Sequence, residues 1–213
     1  MEQRPEIISH VSYGWRRLLE SPSVFNFWQR IAGAHSWKKR LIKDYVQPKG
    51  KEKILDVGCG TGPILSILDK NLKIDYVGCD INSEYIEHAK KHHAPNGRFY
   101  CCSVDRLPAD ESGFDVILAI AIFHHLDDKT SRLLIQSVKE KLRPEGFFLM
   151  AEPVYSNKQS SLERFLMGKD RGQNIRTESE YHQLLESEFI ITESKIIFDS
   201  HIIPWTVNVI ICK

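Results

Sequence analysis

Three glycines at alternate positions punctuate Ile54-Leu55-Asp56-Val57-Gly58-Cys59-Gly60-Thr61-Gly62-Pro63, an apolar run of strand character that empties into a turn and then a helix. Glycine lets the chain turn sharply and leaves no Cβ between the backbone and a ligand lying on it. The dinucleotide fingerprint Gly-x-Gly-x-x-Gly needs glycine at position 63, where this chain has proline, so the spacing argues against a pyrophosphate ligand. Pro63 suits the first helical turn, where its missing N–H has no helical partner. Asp80 ends the next apolar run, Tyr76-Val77-Gly78-Cys79, 18 positions after Gly62. An acid there reaches the paired hydroxyls of a ribose. The structural alternatives are a glycine turn without a ligand and a turn-forming aspartate. His124 and His125 follow a later apolar run, and Glu152 closes another. The carboxyl ends of parallel strands are where ligands bind, and a neutral imidazole or a carboxylate there is a candidate general base. Packing explains the histidines equally well, and Glu152 stands before Pro153, which holds it extended.

The elements that must position these residues follow from periodicity. Val24, Phe27, Trp28 and Ile31 recur at the spacing of one helical face, and a second helix is expected over Trp37–Val46, ended by Gln47-Pro48-Lys49-Gly50. Strands are expected over Lys53–Val57, Ile74–Cys79, Arg98–Cys102, Phe114–Ile120 and Phe147–Ala151. Helices are expected over Pro63–Asp69, Asn82–Lys91 with Asn82 as N-cap, and about Lys129–Leu142 starting at Asp128. Repeated β-α alternation implies an α/β fold, a parallel sheet with helices on both faces. Further on, Ser160–Met167 reads as a short helix, Lys169–Asn174 as loop and Thr177-Glu178-Ser179-Glu180 as a capping box. Ile190–Phe198 and Trp205–Cys212 form a closing antiparallel hairpin. Residues 1–47 are expected to form an N-terminal helical cap on a single domain spanning 48–213.

Composition narrows the function classes. At 213 residues with 42% apolar side chains the chain holds one domain with a real core. A net charge of +1 supplies no whole-protein field for polyanions, although seven cations against two acids lie between Lys38 and Lys53, where a solvated helix face explains them. The five cysteines form no C-x-x-C pair, so neither a disulfide framework nor a metal site is indicated, which fits a cytoplasmic protein. The longest apolar run, Val116–Phe123, is far too short to span a bilayer, and no secretory signal is visible.

In order and spacing, ILDVGCGTG, the acid of YVGCD, the RLP after the third strand, FDVILAIAIFHHL and LRPEGFFLMAEP resemble the class I S-adenosylmethionine-dependent methyltransferases, in their small-molecule, ubiquinone-biosynthesis-like branch. The likeness covers about Lys51–Pro153. It implies a Rossmann-like, doubly wound sheet of seven strands, mostly parallel, with S-adenosyl-L-methionine as cofactor and S-adenosyl-L-homocysteine as product. By position it places Asp56, Gly58, Cys59, Gly60 and Gly62 around the methionine part, Asp80 on the ribose and Ile81 on the adenine. It also puts Val104 beside the adenine, and Ala119 and Ile120 near the sulfonium. The family's usual acid before Leu107-Pro108 is replaced by Ser103, whose hydroxyl or the carboxylate of Asp105 stands in for it.

The expected reaction is methyl transfer to oxygen or carbon of a small-molecule acceptor, with alignment as the main catalytic device and His124, His125 or Glu152 as base where the acceptor carries a proton. Ala119-Ile120-Ala121-Ile122-Phe123 is unlike the Asn-Pro-Pro-Tyr-like box of enzymes that methylate amino groups of bases, so nucleic acid is disfavoured. The aromatics Tyr13, Trp15, Phe25, Phe27, Trp28 and Trp37, with Val154–Arg176, are expected to cover the strand ends. Arg171, Asn174 and Arg176 offer either anion recognition or a solvated surface. A macromolecular methyltransferase and a non-catalytic cofactor-binding module are the alternatives.

Overall fold

The computed structural model describes residues 33–94, 96–169, 172–198, 200 and 205–213. The helix expected over Val24–Ile31, the aromatics from Tyr13 to Trp28, and Arg171 lie outside them. Strand β1 (Lys53–Val57) is apolar on both faces, as a central strand covered on two sides requires. It pairs in parallel with β2 (Asp75–Asp80) and β4 (Phe114–Ile120). With β3 (Arg98–Cys101), β5 (Leu142–Tyr155), β7 (Ile191–Ile197) and β8 (Val207–Cys212), the sheet runs β3-β2-β1-β4-β5-β8-β7. The last three are joined antiparallel, as the hairpin signals implied. A two-residue strand, β6 (Arg176–Thr177), pairs with the end of β5 and had no sequence signal of its own.

Alternation along the strands divides the interior into two layers. Ile54, Tyr76, Leu118 and Leu149 face α1 (Ala34–Leu41), α2 (Pro63–Ile67) and α3 (Ser83–His93), where Trp37, Leu41, Ile64 and Ile86 pack. Leu55, Val77, Ile117 and Met150 face α4 (Asp128–Lys141) and α6 (Glu178–Leu185), where Leu134, Val138, Tyr181 and Leu185 pack. In chain order α5 (Ser161–Met167) lies between β5 and β6. The helix starts follow the caps. Asn82 accepts the Tyr85 N–H at 3.1 Å, and Thr177 and Glu180 complete the capping box. Helix α4 starts at Asp128, as expected, and is capped by Asp127, which accepts the Thr130 N–H at 2.8 Å. Strand β5 is far longer than the expected Phe147–Ala151. Arg143-Pro144-Glu145-Gly146 ends α4 as expected and also opens the strand, through an irregularity in the β4–β5 register. Among the described residues, no helix is long and apolar enough to cross a membrane.

Candidate active site

At the carboxyl end of β1 the chain enters the left-handed region three times, with φ of +65° at Gly58, +54° at Gly60 and +79° at Gly62. L side chains rarely adopt that conformation, which is why glycine occupies these positions. The turn is tied to β2: the N–H groups of Gly58 and Cys59 both donate to Cys79 O, at 2.7 and 3.0 Å. The Cys59 side chain packs into the space left by Gly78, where a Cβ would stand 2.8 Å from Cys59 Sγ. Burial pushes the Cys59 thiol well above its usual range, so Cys59 offers the site its backbone rather than a thiolate.

The Gly60 N–H donates to Asp80 Oδ2 at 2.9 Å, and the Asn82 N–H to Asp80 Oδ1 at 2.9 Å. The half-buried Asp80 therefore stands at the turn with acceptor capacity left on its carboxylate. Burial raises its carboxyl above the ordinary carboxylate range, partly offset by the N–H groups of Asn82, Gly60 and Ile81. A desolvated carboxylate with acceptor capacity left suits a donated hydroxyl. Beside it Ile81 is exposed, an apolar side chain on the rim suited to a flat apolar ring.

Asp56 lies one step inside. Its buried carboxylate accepts the Tyr76 hydroxyl at 2.6 Å and feels the charge of Lys38 on α1. Burial pushes its pKa to about 6, against the lowering effects of Tyr76 and Lys38. Lys38 is itself lowered by burial, with Asp56 opposing. On the next rim Ser103 donates its hydroxyl to Asp105, so the two stand-ins for the absent acid form one unit, and Val104 is buried in the turn that carries them.

The histidines sit after β4. Glu152, fully buried, accepts the N–H groups of Ile122 (2.6 Å), Phe123 (2.9 Å) and His124 (3.2 Å), and its Oε2 lies 2.7 Å from His124 Nδ1. An acceptor so placed assigns the proton to Nδ1. The His125 ring lies against His124, tilted by 41° with centroids 4.0 Å apart, and stays partly exposed. Ala119 is buried and Ile120 partly so. The residue exposed at this strand end is Ala121, held at φ +59° with its N–H on Ala151 O. Ile122 crosses to the glycine turn, where a Cβ on Gly58 would fall 1.7 Å from Ile122 Cδ1. Neither Ala121 nor Ile122 stood out in the sequence, since nothing local marks an alanine for positive φ.

The anion-binding alternative for Arg176 does not hold. Its guanidinium is buried, and its N–H groups go to Asp128, Phe123 O, Asn174 O and Leu126 O. A fork with five donors so engaged has none to offer an external anion. Trp37 is likewise a core residue rather than a cover.

A family model described as a methyltransferase domain matches residues 54–146. The chain is 28% identical over 145 residues to a tRNA U34 carboxymethyltransferase of Pseudoalteromonas atlantica, covering 66% of this chain and 43% of that protein. It is 33% identical over 118 residues to a ubiquinone biosynthesis O-methyltransferase of Actinobacillus pleuropneumoniae, covering 50% of this chain and 49% of that protein. The matches thus span less than half the length of either relative. Among solved structures, a TehB-like SAM-dependent methyltransferase from Corynebacterium glutamicum shares the fold with a TM-score of 0.66 at 17% identity, over 92% of this chain and 98% of that one.

Proposed function

We propose, from the premise that this chain belongs to the class I S-adenosylmethionine-dependent methyltransferases, that it transfers a methyl group to oxygen or carbon of a small-molecule acceptor. The observation that carries the cofactor reading is the left-handed glycine turn tied through the Gly60 N–H to Asp80. The residues present fit the group: the left-handed turn through Gly58, Gly60 and Gly62 brings its backbone beside Asp80, Asp80 offers an acceptor for the ribose, and Ile81 offers an apolar face to the adenine. When bound, S-adenosylmethionine supplies an activated methyl on a sulfonium.

The chain's own task is alignment and exclusion of water, worth about 7–11 kcal/mol where the geometry is right. Glu152, occupied by four donors, positions His124 rather than taking a proton itself. His125, partly exposed at the strand end, is the residue placed to accept a proton from a hydroxylic acceptor.

The macromolecular reading has specific support in the relative named for tRNA U34 and in the exposed cations Lys39 and Arg40 on α1 and Lys43 just after it. A modest overall charge favours the small acceptor. Incubating the purified chain with methyl-labelled S-adenosylmethionine and, separately, a fractionated metabolite extract, total tRNA and total protein decides between them. Label in the metabolite fraction is expected. Label in tRNA, with binding that falls steeply with salt, overturns the small-acceptor reading.

A further inference from the structure

The short turn Ile122–Leu126 is gripped on both polar sides. Its N–H groups at Ile122, Phe123 and His124 go to Glu152. Its carbonyls go to a strap just before α6: Phe123 O accepts Arg176 Nη1 at 2.9 Å, Leu126 O accepts Arg176 Nη2 at 2.8 Å, and His124 O accepts the Asn174 N–H at 2.9 Å. Gly172 lies directly on the His124 ring, where a Cβ would fall 1.8 Å from Cδ2 and 2.8 Å from His124 O. At its other end the turn carries Ile122, whose δ-methyl stands where a Gly58 side chain would be. Buried, charge-assisted hydrogen bonds with fixed geometry resist sliding, so a shift of the strap must move the turn, and with it Ile122.

We propose that Gly172, Asn174 and Arg176 are positioning residues for the cofactor cradle, acting through Ile122 on the clearance beside Gly58. The strap lies outside the residues 54–146 matched by the family model. It couples the segment expected to cover the acceptor to the turn expected to hold the cofactor, so that neither half is set independently. This coupling rests on the cofactor reading above.

The test is a thermodynamic cycle on the full chain, with S-adenosylhomocysteine as probe and calorimetry as readout. Gly172→Ala is expected to raise its dissociation constant about tenfold, ~1.4 kcal/mol, and Arg176→Lys, which keeps the charge and loses the fork, about threefold, within the usual range for contacting residues. In an Ile122→Ala background both effects should shrink to within about twofold, because the route to Gly58 is gone. Should Gly172→Ala fail to fold by circular dichroism, Arg176→Lys decides in the same cycle. Wild-type affinity in both folded variants overturns the coupling, and so does an equal loss with and without the Ile122 side chain, since a purely structural strap gives that result. A wild-type chain that does not bind S-adenosylhomocysteine overturns the cofactor reading instead, an outcome seen before any variant is compared.

Discussion

The two ends of the sheet use the same kinds of side chain to opposite effect. At the amino ends of the strands, Glu111 is buried among Arg98 Nε (2.6 Å), Lys53 Nζ (3.1 Å) and the Tyr100 hydroxyl (2.9 Å), and Arg98 also reaches Asp75 at 2.6 Å. Asp115 accepts the Lys53 N–H and pairs with Arg143. Arg98 above all, then Lys53 and Tyr100, hold the Glu111 carboxyl down at about 2 against the cost of burial. At the carboxyl ends burial wins: Asp56 is pushed to about 6 and Asp80 is raised as well. One edge satisfies its polar groups internally, through ion pairs and hydrogen bonds that tie β1 to β3 and β4. The other leaves the burial of Asp56 and Asp80 only partly offset by hydrogen bonds, which suits these carboxylates to donors brought by a ligand.

The contrast breaks first at Asp80. Asp80→Ala is expected to weaken S-adenosylhomocysteine binding ten- to hundredfold by calorimetry, the scale of one lost charged hydrogen bond, about 1.5–3 kcal/mol, with the fold retained. Glu111→Gln should do the reverse. It is expected to lower unfolding free energy in urea by about 2 kcal/mol, since two cations lose their anion, and to leave probe affinity within twofold.

Acid titration sharpens the comparison through opposite signs. Glu111 has a depressed carboxyl in the folded chain, so its contribution is present above the ordinary value near 4.5 and is lost as pH falls toward 2. Asp56 has a raised one, so its contribution is present below the ordinary 3.8 and is lost as pH rises through about 6. Asp56→Asn, which still accepts the Tyr76 hydroxyl, should therefore gain stability on wild type by about 2 kcal/mol between pH 4 and pH 7. Urea midpoints across that interval check it, and parallel curves would show that burial does not strain Asp56. The smallest effect is expected at Ser103. Ser103→Ala should change probe affinity less than about fivefold, because Asp105 stays in place and a neutral hydrogen bond contributes about 1 kcal/mol.

The sequence by itself determined the elements whose cause is local. Gly58, Gly60 and Gly62 announce a left-handed turn after an apolar run, Asp80 marks the end of β2, and Asn82, Thr177 and Glu180 cap their helices from within a few residues. The order of β-α alternation led to the parallel sheet. Local signals also misled: Arg143-Pro144-Glu145-Gly146 marks the end of α4 and conceals that β5 has already begun. Only the tertiary structure decided which polar groups meet. Glu152 caps a turn some 28 to 30 residues earlier, Arg176 reaches carbonyls about 50 residues back, and Lys53 meets Glu111 across the sheet edge. A buried charge must find its partner wherever the fold brings one near, and no spacing along the chain records that choice. For the same reason His124, legible as a candidate base, proved to be a ring held by Glu152 and overlaid by Gly172, a position set by packing between distant segments rather than by its neighbours in sequence.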